Sequence, residues 1–301
     1  MYTSLTQAMN MSSSNTETDI TICAACGKEG NSDNMNTCNK CKMVKYCNAA
    51  CKKKHRTKHK KACERRAAEI YDEQLFKEVE PDECPICLLI LPLETDKSQF
   101  QTCCGKIICH GCIYAMQISE GKDLCPFCRT PPATDEEDIK RTKKLMENGN
   151  ANAFNYLGGY SQGEGGLPRD FRKANDLWLK AGELGCSEGY HNLGVHYING
   201  NGVEIDLKKA KHYWELAAMM GHVIARHNLA CLEGQAGNDH RAIKHYIIAA
   251  RAGYKESLDN IKFRFMNGQV TKDEYANTLR AYHERQKEMK SDQRDKAAAN
   301  Q

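Results

Sequence analysis

The cysteines of this chain decide what it can fold into. Of 17 cysteines in 301 residues, 15 fall between Cys23 and Cys128, mostly as paired C-x-x-C steps, and only Cys186 and Cys231 come later. Such clustering points to metal, because a C-x-x-C step lets two thiolates from one tight turn reach the same ion. The rival reading is a secreted disulfide scaffold, which requires an export signal. The opening stretch MYTSLTQAMNMSSSNTETD has no apolar region and little positive charge, so a reducing compartment, cytoplasmic or nuclear, is expected. No window approaches the run of about 20 apolar residues that a membrane span needs, and a soluble protein is the expectation. A net charge of +4 is too small to argue for nucleic acid, although basic residues crowd into Lys52 to Arg66.

Composition shifts divide the rest. Residues 1–21 are rich in Ser, Thr and Asn and are expected to be disordered. Two cysteine-rich modules follow, at residues 22–63 and 84–129. Between them, residues 64–83 carry Ala67, Ile70, Tyr71 and Leu75 at helical spacing, which predicts a helical linker stopped by Pro81. Beyond Cys128, residues 130–149 read as a linker and leading helix, with Thr134 and Glu137 placed for a capping box. Then the sequence repeats. Leu157-Gly158 returns as Leu193-Gly194, Ala174 as Ala210, Trp178 as Trp214 and Gly185 as Gly221, each 36 residues later. The third copy is shorter by four residues, so Ala210 maps onto Ala242 and Gly221 onto Gly253. A period of this size with two helical stretches per unit predicts a solenoid, because one helix pair cannot bury its apolar face alone. The L-G-x-x-Y pattern, the G-N-G-V-E-I-D-L-K-K-A loop and the A-A-x-x-G ending resemble Sel1-like repeats, relatives of the tetratricopeptide array, over residues 150–285. Recurring Trp178 and Trp214, and likewise His191 and His227, read as packing positions, as do Cys186 and Cys231. Residues 286–301 read as a charged tail.

In the first module the order Cys23, Cys26, Cys38, Cys41, Cys47, Cys51, His59, Cys63 supplies eight ligands, enough for two closed tetrahedral sites. His59 and Cys63 are four residues apart, so a helix turns both to one face. This string, with Tyr46 just before the fifth cysteine, looks like a MYND finger. The resemblance implies interleaved zinc sites, Cys23, Cys26, Cys47 and Cys51 on one ion and Cys38, Cys41, His59 and Cys63 on the other. Arg56 stands where that family usually has tryptophan, which argues against its docking of proline-rich peptides but leaves the metal sites intact. His55 is an alternative ligand, and the family spacing selects His59.

The second module again offers eight: Cys84, Cys87, Cys103, Cys104, Cys109, Cys112, Cys125 and Cys128, with C-P-I-C in front and C-P-F-C behind. These ligands resemble a RING finger of the all-cysteine C4C4 variety, because Lys106 stands where histidine is usual. The resemblance implies a cross-brace of Cys84, Cys87, Cys109 and Cys112 on one zinc and Cys103, Cys104, Cys125 and Cys128 on the other. Cys103 and Cys104 are adjacent, a tight arrangement for one ion, with His110 as the reserve candidate. Each module is only about 40 to 45 residues, too few for an unaided core, so four zinc ions, two per finger, are expected to supply the fold.

The expected architecture is therefore multidomain: two small zinc-stabilised cross-brace modules followed by an all-α Sel1-like solenoid. RING fingers of ubiquitin ligases bind a ubiquitin-charged conjugating enzyme and hold the thioester in a reactive pose, with no covalent nucleophile of their own. By resemblance Ile86 and Pro126 would line the groove for that enzyme, and Arg129 would be the cation bonding both enzyme and ubiquitin. The expected function is a RING-type ubiquitin ligase or ligase adaptor whose MYND finger and repeats hold protein partners. Two alternatives accompany it. One is a non-enzymatic, zinc-dependent interaction scaffold. The other is a nuclear regulator touching nucleic acid through the basic helix, against which stands the lack of aromatic residues among those lysines.

Overall fold

The structure, a computed structural model, describes residues 20–163 and 168–300. The expectation of disorder for residues 1–21 falls outside these, except that Ile20 and Thr21 open a strand. The chain divides into two compact units between Gln74 and Leu75. Among the described residues, no helix is long and apolar enough to cross a membrane.

Apart from one long helix, the first unit has little regular framework. Strand β1 (Ile20–Ile22) pairs antiparallel with β2 (Glu29–Asn31), and β3 (Asn36–Thr37) with β4 (Lys45–Tyr46). Helix α1 (Ala49–Leu75) follows, 27 residues long. Ribbons of two or three residues cannot enclose a core. The buried cluster is instead Cys23, Met35, Cys38, Cys41, Tyr46 and Cys63, so cysteine takes the place that aliphatic residues hold elsewhere.

The linker differs from expectation. Its helix is the continuation of α1 and ends at Leu75, and residues 76–82 form neither helix nor strand, although no proline intervenes before Pro81. Tertiary structure overrides local propensity here. Leu75 is fully buried beside Trp214, Ala217, Ala218, Ala225 and Leu229, and its carbonyl accepts a hydrogen bond from Arg226 Nη1 at 2.7 Å, so a side chain caps the helix end.

In the second unit, β5 (Ser98–Gln101) pairs antiparallel with β6 (Lys106–Cys109), setting Phe100 opposite Ile107. Helix α2 (His110–Glu120) ends at Gly121, whose φ of 62° is the left-handed cap that glycine adopts without strain. Helix α3 (Asp135–Glu147) starts at Thr134, whose hydroxyl accepts from the Glu137 amide as the capping pattern predicts. Four helix pairs follow: α4 (Ala151–Tyr160) with α5 (Phe171–Glu183), α6 (Ser187–Asn199) with α7 (Leu207–Met219), α8 (Val223–Gln235) with α9 (Asp239–Arg251), and α10 (Lys255–Met266) with α11 (Lys272–Glu288). Of the stretch read from sequence as a tail, residues 286–288 instead complete α11 and Asp292–Ala299 form α12, which packs against α2.

The repeated Leu-Gly step has a steric cause. A Cβ on Gly158 would lie 2.4 Å from Trp178 Nε1, and one on Gly194 would lie 2.2 Å from Trp214 Nε1. Each indole lies across the bare backbone of its partner helix and donates to a carbonyl there, Trp178 to Asn155 at 3.2 Å and Trp214 to His191 at 3.1 Å. The third copy changes both partners together: Ala230 and Tyr246 share one core cluster where the earlier copies pair glycine with tryptophan. Helix propensity alone favours Gly194→Ala by about 1 kcal/mol. Overpacking against the indole costs about 1–3 kcal/mol and reverses the sign. Gly194→Ala should therefore lower the thermal unfolding temperature, and adding Trp214→Tyr should restore part of it.

Buried histidines give the repeats a pH dependence. Burial first, and then the nearby charge of His222, pulls His191 down to about 4 from 6.5. His245 is fully buried and lies lower still, at about 3, through burial and then Arg226 and Arg241. Both rings bind protons more readily in the unfolded chain, so their stability contribution is complete above pH 6.5 and is lost as pH falls toward 4. Thermal melts across that window should show falling stability, and His245→Phe, which does not titrate, should flatten the slope.

Candidate metal centres

Four tight backbone turns build the centres. The carbonyls of Cys23, Cys38, Cys84 and Cys125 accept from the amides four residues on, those of Gly27, Lys42, Leu88 and Arg129, at 2.9, 3.0, 2.9 and 2.9 Å. All four closing residues are left-handed, with φ of 75°, 56°, 57° and 62°. Only one is glycine, so in the other three the metal turn must hold a conformation that costs an ordinary residue about 1 kcal/mol or more. This fifth position of each turn is the feature that the spacing of cysteines alone does not reveal. It gives Arg129 a backbone role independent of its side chain.

The sixteen expected donors gather in four groups: Cys23, Cys26, Cys47, Cys51; Cys38, Cys41, His59, Cys63; Cys84, Cys87, Cys109, Cys112; and Cys103, Cys104, Cys125, Cys128. Within each group all ligand atoms lie within 4.8 Å of one another. Two thiolates on one tetrahedral zinc, each at about 2.3 Å from the metal, stand about 3.8 Å apart. The Sγ separations match: Cys26–Cys47 3.7 Å, Cys38–Cys63 3.6 Å, Cys84–Cys112 3.9 Å, Cys87–Cys109 3.8 Å and Cys104–Cys125 3.9 Å. His59 turns Nε2 toward Cys41 Sγ at 3.2 Å. His55, the alternative, is used otherwise. Its Nδ1 meets the hydroxyl of buried Tyr46 at 3.2 Å and its ring stacks on His59, fixing the plane of the ligand.

Adjacent Cys103 and Cys104 both reach one group because the chain turns sharply there. The amides of Cys104 and Gly105 both donate to Gln101 O, at 3.3 and 2.7 Å, and Gly105 has a φ of 72°. Cys103 Sγ then lies 3.3 Å from Cys128 Sγ. His110 belongs to none of the four groups.

The electrostatics of the groups favour a cation. In the first, the Cys47 amide leads in drawing the Cys23 thiol down to about 6, while the hydrogen bond from Cys47 leads in pushing Cys51 up to about 12. In the third, burial leads in raising Cys112, with the Cys109 thiol adding to it. In the first group a backbone amide thus stabilises one thiolate and the crowding of sulfurs opposes the next. A divalent ion relieves that conflict, and closed sets of four sulfurs, or of three sulfurs and one imidazole nitrogen, suit structural zinc. The chain binds zinc through these sites.

One further residue belongs to the third group and escaped the sequence reading. Arg294, on α12, donates through Nη1 to Ile90 O at 2.7 Å and through Nη2 to Leu89 O at 3.3 Å and Cys87 Sγ at 3.6 Å. The helix approaches closely because Gly111 has no side chain, and a Cβ there would lie 2.7 Å from Arg294 Cγ. Nothing in the local sequence of a charged C-terminal helix signals that role.

Of the residues expected to meet a conjugating enzyme, Ile86 is 40% exposed and Pro126 is half-buried. The Arg129 guanidinium is engaged within its own module, paired with Glu120 and donating to Met116 Sδ at 2.9 Å. Three more apolar side chains of this module face solvent: Leu88 at 68%, Ile118 at 69% and Phe127 at 47%. On α1, Lys53, Lys54, Lys58, Lys60 and Lys61 are exposed, as is Arg56.

Comparison with known proteins agrees with this anatomy. Residues 23–63 match the MYND finger family, and residues 152–186, 187–222 and 223–254 match the Sel1 repeat. The protein is thus a cysteine-rich zinc-binding region followed by an all-helical Sel1 repeat solenoid. Among solved structures, a Sel1 repeat protein from Oxalobacter formigenes is similar at 22% identity and a TM-score of 0.45, covering 58% of this chain and 70% of that one. A protective antigen of uropathogenic Escherichia coli strains, described as displaying an SLR fold, is 21% identical with a TM-score of 0.46, covering 59% of this chain and 37% of its own.

Zinc sites of this kind carry about 10–16 kcal/mol of apparent binding free energy each, more than a module of this size could replace by packing. The reduced, purified chain should hold about four zinc ions by elemental analysis. Stripping them with a chelator should abolish amide protection at residues 23–63 and 84–128 while α5 to α9 stay protected. Cys103→Ser should loosen one ion of the four and leave three.

Proposed function

We propose that this protein is a zinc-dependent scaffold for protein–protein interaction, in which the metal-built modules and the Sel1 array each present a binding surface. The observation that carries this reading is the direct packing of the second module against the repeats. Thr102 of the module bonds Asp138 of α3, Asn150 Nδ2 donates to Gly105 O at 3.3 Å, and Phe100 packs on Tyr156 with ring centroids 5.1 Å apart. Arg294 ties the far end of the array to the same module. Partners held by the module and by the array are thereby kept at a fixed separation, which is what a scaffold supplies. Family membership of the finger and the repeats supports the same reading.

A second reading keeps the same anatomy and adds ubiquitin transfer. It is favoured by the cross-braced pairing of the second module's cysteines, the arrangement that its resemblance to RING fingers implies, together with the exposed Ile86 between its first cysteine pair. In that reading the apolar surface of the module receives a ubiquitin-charged conjugating enzyme and fixes the thioester for attack.

One assay separates the two. Autoubiquitination is measured with a panel of conjugating enzymes for wild type, Ile86→Ala and Arg129→Gly, the last removing the side chain while keeping a left-handed backbone. The scaffold reading expects no transfer above background with any enzyme. Transfer by wild type that falls at least about tenfold in Ile86→Ala, at unchanged zinc content, would establish the ligase reading in its place.

A further inference from the structure

The segment between α1 and the second module is held by the repeats as a peptide ligand is held. Residues 76–82 make no helix or strand, so the linker is not part of any backbone ladder. Four residues, beginning with Leu75 at the end of α1, are held by the array. Leu75 fills the pocket formed by Trp214, Ala218 and Leu229. The Phe76 ring lies tilted against His245 with centroids 4.6 Å apart, the Arg241 guanidinium 5.1 Å and the Lys244 ammonium 5.3 Å from its centre. Glu78 pairs with Arg251 at 2.8 Å. Val79 lies against Gly221, where a Cβ would come within 3.1 Å of its own.

Arg226 holds the backbone. Only 2% exposed, it donates to Leu75 O at 2.7 Å, Lys77 O at 3.2 Å and Ala218 O at 2.6 Å. Burying a guanidinium on carbonyls is costly, and of its three acceptors one ends α1, one lies in the linker and one lies in the array. The residue also breaks the repeat: 36 and 72 positions earlier the chain has Tyr190 and Phe154. A departure from the repeat, buried and aimed at the carbonyls of Leu75 and Lys77, is the mark of a position that holds this segment rather than of a solenoid core. The fit is incomplete as well, because a cavity of about 60 Å³ remains among Val79, Val223, Ile248 and Arg226.

We propose that the second and third repeats form a site for linear peptides of the pattern Leu-Phe-x-Glu-Val, that residues 75–79 occupy it as a tethered pseudo-ligand, and that a partner protein bearing this apolar-aromatic-acidic motif displaces them. The proposal rests on the reading of the repeats as a partner-binding part of the chain and is independent of ubiquitin transfer. Tethering gives the linker an effective concentration in the millimolar range, so the free site is masked in the resting protein.

The test uses the full-length, zinc-loaded chain and a fluorescent peptide spanning Glu73 to Glu83. Anisotropy should show the peptide binding the Leu75→Ala/Phe76→Ala chain at least about tenfold more tightly than wild type. Arg226→Gln in that background, or a peptide carrying Phe76→Ala, should each weaken binding at least about tenfold. Absence of binding to a double variant with wild-type helicity would overturn the proposal. Hydrogen exchange on the unaltered protein covers the case in which the variant fails to fold. Amides 76–80 should open while α7 to α9 remain protected, and opening only together with those helices would refute a displaceable ligand. Formation of a concentration-dependent dimer on loosening the linker, without peptide binding, would also refute it, by making a second copy the occupant. Since no conjugating enzyme is present, an inert ubiquitination assay and a negative peptide titration remain separate results.

Discussion

Everything in the cysteine-rich region depends on four groups of donors crowded to within 4.8 Å. Such crowding is unfavourable for thiols alone, since each ionised sulfur opposes the next, and it becomes favourable only around a cation. The strands nearby are two to four residues long and could not hold these turns by themselves. In both modules metal-binding cysteines make up most of the buried core, so coordination and burial largely coincide. The left-handed backbones of Lys42, Leu88 and Arg129 follow from that, because a strongly bound ion can enforce a turn that the residues themselves disfavour.

The repeats rest on a different economy of space. There a missing side chain, at Gly158 and Gly194, admits the indole of the neighbouring helix, and the hydrogen bond from its ring nitrogen satisfies a carbonyl. The coordinated change to Ala230 and Tyr246 in the third copy shows the same volume shared out differently. The second module docks on this array through contacts that include Phe100 on Tyr156 and Asn150 on Gly105.

Much of this was legible in the sequence, and the division between what was and what was not is physical. The ligand sets could be read because coordination demands particular atoms at particular spacings, and the adjacent Cys103 and Cys104 needed only the turn at Gly105 to become compatible. The solenoid could be read because each helix pair repeats the packing problem of the last. The length of the linker helix could not, since Leu75 ends it through a bond from Arg226, 151 residues away. Nor could α12, whose charged sequence looks like a tail until Arg294 finds the carbonyls of Leu89 and Ile90. Contacts made once, by one residue, over long separations leave no period and no motif. The exposed Phe127 escaped for a related reason: an apolar residue inside a metal turn is expected to pack, and only the fold shows that this one does not.

The distance in sequence between Arg294 and the centre it supports also sets an order of events during synthesis. A ribosome that has just released Cys112 must add roughly 180 more residues before Arg294 emerges, which at about 5–20 residues per second takes on the order of 10–40 s. For that interval the nascent centre has all four sulfurs but lacks its outer guanidinium. The guanidinium's contacts to Leu89 O, Ile90 O and Cys87 Sγ form only when α12 settles onto α2.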